Sequence, residues 1–95
     1  MLTISNAASD TIHEMLRVPG VPPEGGVRLQ YTPDHRQLSI LLVPAPCAGD
    51  MRYDAGDGAS LYVAAEVADR VRDKTFDARR NDAGCMQFVL DRAER

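Results

Sequence analysis

The apolar positions of this chain change period along its length, and each change marks an element. Ala8, Ile12, Met15 and Leu16 recur at steps of four, three and one, which is the apolar stripe of a helix. Asp10, His13, Glu14 and Arg17 fall outside that stripe, so all four, His13 included, read as a solvated face. Leu2 to Ile4 is a short extended lead-in, and Ser5 is a suitable N-cap for the helix. Pro19-Gly20 marks the end of the helix, because a proline disfavours helical backbone at the preceding Val18. Val21 to Gly26 reads as a connection, stiff at Pro22-Pro23 and flexible at Gly25-Gly26.

From Val27 the period becomes two. Val27, Leu29 and Tyr31 alternate with Arg28, Gln30 and Thr32, the pattern of a half-buried strand. Pro33 to Arg36 reads as a turn, and the nearly all-apolar run Leu38 to Val43 predicts an interior strand covered on both faces. Pro44 to Gly49 breaks that run. Met51 with Tyr53, and Leu61 with Val63, predict two further strands around Gly56-Asp57-Gly58. Ala64, Val67, Ala68 and Val71 mark a second short helix with Glu66 and Arg70 paired at i,i+4 on its outside. Thr75 to Arg80 and Cys85 to Leu90 predict a closing hairpin turned at Asn81 to Gly84. No repeated βαβ alternation is present, so the fold class is α+β, with a mainly β core of about six to seven strands and two short helices. Ile12, Leu16, Val67 and Val71 are expected to be buried beside Leu29, Ile40, Leu61, Phe88 and Leu90.

Composition narrows the function classes. The chain has 95 residues, which predicts one domain spanning 1–95 with one core. A net charge of −3 lacks the excess of lysine and arginine that nucleic-acid binding requires. The longest apolar stretch, Ile40 to Ala45, is interrupted by Pro44 and is far short of a membrane span. The start, Met1 to Ser5, carries no basic region followed by an apolar run, which argues for a cytoplasmic protein whose two cysteines stay reduced.

The candidate chemistry is sparse. Cys47 sits in a loop of small residues and could meet an oxidant or a metal, but no Lys, Arg or His lies within four residues to activate it. An unreactive loop thiol is the plainer reading. Cys85, just before Met86 and Phe88, reads as a packing residue. Asp34 and His35 could hold a divalent metal weakly, although turn chemistry accounts for Asp34 and solvent exposure for His35. Asp50, Asp54 and Asp57 lack the terminal glutamate of a calcium loop. No phosphate-binding glycine loop and no nucleophile elbow occurs, and the serines have no base nearby in sequence. No catalytic, cofactor-binding or metal-ligating residue is assigned, and no cofactor is expected.

Several short stretches nevertheless have a common likeness. Leu2-Thr3-Ile4-Ser5 followed by Ala7-Ala8, the run Gly26 to Leu29, Gly49-Asp50 before a strand, Ala59 to Val63, Asp73 to Asp77, and Gly84 to Phe88 together resemble the HesB-like domain of A-type iron–sulfur carriers. The resemblance extends over nearly the whole chain and implies that fold. It also implies a cluster held by three cysteines, one after the first long strand and two in a Cys-Gly-Cys near the C-terminus. This sequence departs from that pattern. Thr32 to Gln37 contains no cysteine, nor does the stretch Asp91 to Arg95, and Cys47 and Cys85 stand elsewhere. The expectation is therefore a non-enzymatic HesB-like protein related to iron–sulfur assembly proteins, acting through a protein partner or a homo-oligomer, or through weak metal binding. The alternatives are iron or cluster binding through Cys47 and Cys85 in an oligomer, and a small thiol-dependent redox protein.

Overall fold

The computed structural model describes residues 2–92. Strand β1 (Thr3–Ile4) leads into helix α1 (Asn6–Met15), followed by strands β2 (Gly26–Tyr31), β3 (Leu38–Val43), β4 (Met51–Asp54) and β5 (Ser60–Val63). A 3-10 turn (Ala65–Val67) runs into helix α2 (Ala68–Val71), and strands β6 (Lys74–Arg80) and β7 (Met86–Arg92) close the chain. The strands form two sheets, ordered β1-β6-β7 and β3-β2-β5-β4. Most neighbours are antiparallel, but β1 runs parallel to β6 and β2 runs parallel to β5. The α+β class and the mainly β core with two short helices hold as expected.

Ser5 fastens α1 to the first sheet. Its hydroxyl oxygen accepts from the Ala8 amide at 3.1 Å, the N-cap geometry that satisfies an otherwise orphan helical donor. The same hydroxyl donates to Asp77 Oδ1 at 2.5 Å, and the Ser5 amide donates to the Phe76 carbonyl at 2.9 Å. Ala8 and Ile12 of the helical stripe are fully buried, whereas Met15 and Leu16 are half-buried. The helix ends with Leu16 as its C-cap, three residues before Pro19. At its other flank α1 docks on the β4–β5 turn, where the Ser9 hydroxyl donates to the Ala55 carbonyl. His13 places Nδ1 2.8 Å from the Ser9 carbonyl and Nε2 2.9 Å from the Gly56 carbonyl, so it is a clamp and not the solvated side chain its sequence position suggested.

The second sheet corrects the reading of its strands. The all-apolar run of β3 occupies an edge, with one neighbour and with Leu42 exposed. The strand covered on both faces is β5, all four of whose residues are buried. Its polar atoms are satisfied from its neighbours: Ser60 Oγ accepts from Arg52 Nε at 2.8 Å, and Tyr62 donates to the Glu24 carbonyl at 2.6 Å. Gly25-Gly26 is likewise not a flexible connection, because both glycines are buried against the sheet. A Cβ on Gly26 would stand 2.6 Å from the Ser60 carbonyl oxygen and 2.9 Å from the Tyr62 ring. Of the expected core, Ile12, Leu29, Leu61, Val67 and Val71 are buried, while Leu16, Ile40, Phe88 and Leu90 only pack partly against it. Arg70 does not join the expected ion pair with Glu66. Its guanidinium lies over the Tyr31 ring, 5.8 Å from the centroid.

Gly26→Ala should therefore push β2 away from β5 and lower unfolding free energy by about 2 kcal/mol, the usual cost of overpacking a closed core. Urea denaturation measures this, and a midpoint equal to that of the parent chain would show that β2 and β5 can part without loss.

Candidate functional site

The turn joining β2 to β3 is built from its own short side chains. The Thr32 amide donates to the Gln37 carbonyl at 2.9 Å and the His35 amide to the Thr32 carbonyl at 2.8 Å. Asp34 Oδ1 accepts from the Thr32 hydroxyl at 2.6 Å and from the Arg36 amide at 3.0 Å. These hydrogen bonds, that from Thr32 foremost, hold the Asp34 carboxyl below its usual value. His35 takes a left-handed backbone with φ of 60°, and its exposed ring stands 5.7 Å from that of Tyr31. Asp34 is thus engaged in turn geometry. Among the described residues no three His, Cys, Asp or Glu side chains converge as a metal site.

Cys47 lies in an exposed loop whose shape is set by an ion pair beneath it. Arg28, a polar position of β2, meets Asp50 side-on, with Nε to Oδ2 and Nη2 to Oδ1 both at 3.0 Å. The Asp50 carboxylate is only 1% exposed and Arg28 16%, so the pair is largely withdrawn from water. Arg28 Nη1 also donates to Gln30 Oε1. Asp50 Oδ2 in turn accepts from the Cys47 amide at 2.8 Å, and the Asp50 amide donates back to the Cys47 carbonyl at 3.1 Å. The guanidinium of Arg28 keeps the Asp50 carboxyl below its ordinary range, and Asp50 raises Arg28 reciprocally. Burial acts against both shifts and is the weaker influence. In the sequence Asp50 stands out only as one of three acids that fail the calcium-loop pattern. The traceable signal was a lone arginine alternating with apolar residues in β2 and an acid just after Gly49.

Cys85 is exposed at the β6–β7 turn and is not the packing residue expected of it. Asn81 shapes that turn, its Oδ1 accepting from the Ala83 and Cys85 amides, both at 3.0 Å, with Gly84 at φ of 84°. The two thiols are free, and they lie on connections belonging to different sheets. Neither stands in the Thr32 to Gln37 turn, and residues 93–95, the end of the stretch noted to lack cysteine, lie outside the described residues.

Beside that turn a cleft of about 530 Å³ opens between β3 and β7. Leu29 and Phe76 close its floor, where Phe76 stacks on Phe88 with centroids 4.7 Å apart and planes 10° from parallel. Arg36, Arg70 and Lys74 also line it. None of these basic residues attracted notice as a group in the sequence, because they come from three separate segments.

No family model and no curated protein matches the chain. Solved structures do. The chain is similar to Escherichia coli SufA, a protein involved in the biosynthesis of iron–sulfur clusters, with 25% identity and a TM-score of 0.67 over 93% of this chain and 78% of SufA. It is also similar in fold to IscA, whose crystal structure holds a [2Fe–2S] cluster, with 20% identity and a TM-score of 0.63 over 100% of both chains.

The Arg28–Asp50 pair generates a pH prediction. A carboxyl whose pKa is lowered by folding contributes stability that is present above its unfolded value and is lost as pH falls through its folded value. Asp50→Asn should cost about 3 kcal/mol at pH 7, because it leaves a shielded guanidinium without its counter-charge. The difference between parent and variant should begin to shrink as pH falls below about 4, where the unfolded parent protonates Asp50. It should close only below the depressed folded value, where the folded parent protonates Asp50 as well. Urea titrations at both pH values measure this, and a gap that persists undiminished in acid would assign the loss to packing instead of charge.

Proposed function

We propose that this chain, which has the HesB-like α+β fold of the A-type iron–sulfur carriers, is a non-enzymatic protein of iron–sulfur cluster assembly that works through protein contacts and not by holding a cluster on three cysteines of its own. The likeness to SufA and IscA supports the relation to cluster assembly. The placement of the thiols carries the rest of the reading. A cluster is ordinarily held by four soft thiolates, and this chain supplies two, on connections of different sheets. The turn after β2 offers Asp34 and His35 instead, harder ligands suited to weak divalent binding, and Asp34 is already engaged with Thr32 and the Arg36 amide. We further propose that residues 1–95 act as one domain in the cytoplasm, with a protein partner or a second copy as the contact. No helix among the described residues is long and apolar enough to cross a membrane.

Anaerobic reconstitution with iron and sulfide, followed by desalting, tests this reading. The expected fraction is colourless, with neither iron nor sulfide retained. Charge-transfer absorption that persists and disappears in Cys47→Ser would make Cys47 a cluster ligand shared between copies and would overturn it. Iron retained without sulfide, and lost in His35→Ala, would instead locate a metal site in the turn.

A further inference from the structure

Leu38 and Ile40 of β3, and Phe88 and Leu90 of β7, are large apolar side chains packed against the core, yet all four remain only half-buried. Each of these strands is an edge of its sheet, and the cleft opens between them over Leu29 and Phe76 of the neighbouring strands. Apolar surface left open at such a seam forfeits the free energy of leaving water, so a ligand that covered it would regain that term.

The charges around the seam specify the ligand further. Arg36 comes from the β2–β3 turn, Arg70 from α2 and Lys74 from the first position of β6, and among the described residues no acidic one lines the cleft. Elsewhere four arginines have carboxylate partners, Arg17 with Glu14, Arg28 with Asp50, Arg72 with Asp69, and Arg79 with Asp77 and Asp91, while Arg52 and Arg80 donate to the Ser60 hydroxyl and the Gly84 carbonyl. Among the described residues no carboxylate pairs with Arg36, Arg70 or Lys74. Asp34, the nearest acid to Arg36 in the turn, accepts from the Arg36 backbone amide and the Thr32 hydroxyl. A chain of net charge −3 thus lines its open apolar seam with three cations that have no carboxylate partner among the described residues, one of them, Arg70, lying over the Tyr31 ring.

We propose that this cleft binds a small amphipathic anion, a carboxylate or phosphate head on a short apolar body. The head is held by the guanidinium forks of Arg36 and Arg70 and the ammonium of Lys74. The body lies along Ile40, Phe88 and Leu90, over the buried Phe76 ring. The cleft volume falls within the roughly 300–1,000 Å³ of small-molecule sites. This inference stands on the cleft alone and is independent of whether the chain holds a cluster.

The test uses the whole chain and the anionic fluorophore 1-anilinonaphthalene-8-sulfonate, displaced by octanoate, octyl phosphate, octanol and octylamine. Octanoate or octyl phosphate should displace it at concentrations at least about tenfold lower than octanol or octylamine, since only an anion gains charge-assisted hydrogen bonds. A clear preference between the two anions would identify the head group. The double variant Arg36→Glu, Lys74→Glu should weaken fluorophore binding about tenfold or more, whereas Arg17→Glu, away from the cleft, should leave it unchanged. Octanol competing as well as octanoate, or a double variant that melts and binds like the parent, would overturn the proposal. So would a hexapeptide of alternating glutamate and valine that outcompetes both octyl anions, because the seam would then be a docking groove for an extended protein segment.

Discussion

The fold depends on one strand being buried on both faces. All four residues of β5 are withdrawn from water between β2 and β4, and a strand so placed must find a partner for every polar atom and space for every side chain. The sequence meets both demands with neighbouring residues. Gly26 leaves the gap that the Ser60 carbonyl and the Tyr62 ring occupy, and Glu24 and Arg52 satisfy the two buried hydroxyls. The Ala64 amide donates to the Leu29 carbonyl at 3.0 Å, carrying the parallel pairing past the end of the strand. The chain then turns directly into the 3-10 turn and α2, whose Val67 and Val71 cover the same core. The topology of the second sheet follows. A strand has two edges, and β2 gives one of them to β5, so its hairpin partner β3 is left outside.

That consequence explains what was legible in the sequence and what was not. The periods of α1, β2 and the closing hairpin were readable because each has one wet face and one dry face, and Ser5 and Gly84 mark their ends by local chemistry. Periodicity could not tell β3 from β5. An apolar run reports that water is excluded from the side chains, not which strand lies at the centre, and Leu38 to Val43 outscores Ser60 to Val63 on that measure. Parallel pairing across intervening elements decides the matter, and it leaves no local trace. The same limit applies to Gly25-Gly26, where the absence of a side chain serves close packing instead of flexibility. His13 was misplaced for a related reason. Its helical position is polar, but the loop that meets it lies 43 residues further on.

The candidate site was legible only in what it lacks. The missing thiols could be read directly, since a residue type is either present in a stretch or not. The Arg28–Asp50 pair and the cleft could not be read, because their parts lie on separate elements that only the two-sheet arrangement brings together. Ile40, Phe88 and Leu90 were expected to be buried, and their alternation does point them inward. They are half-buried because β3 and β7 are edges that do not close on each other.

The turn after β2 bears on both proposals. Thr32 to Gln37 carries no thiolate, and its Arg36 and Gln37 line the cleft. Thiolates there would attract a cationic metal, whereas a guanidinium beside Arg70 and Lys74 repels one and favours an anion. None of the three has a direct ion pair among the described residues, since Asp34 accepts from the Thr32 hydroxyl and the Arg36 amide and Asp69 pairs with Arg72. An arrangement of that kind lowers its free energy on meeting an anion, and the open apolar seam beside it favours one with an apolar body. On the reading proposed above, this end of the fold is suited to negative charge and not to a soft metal.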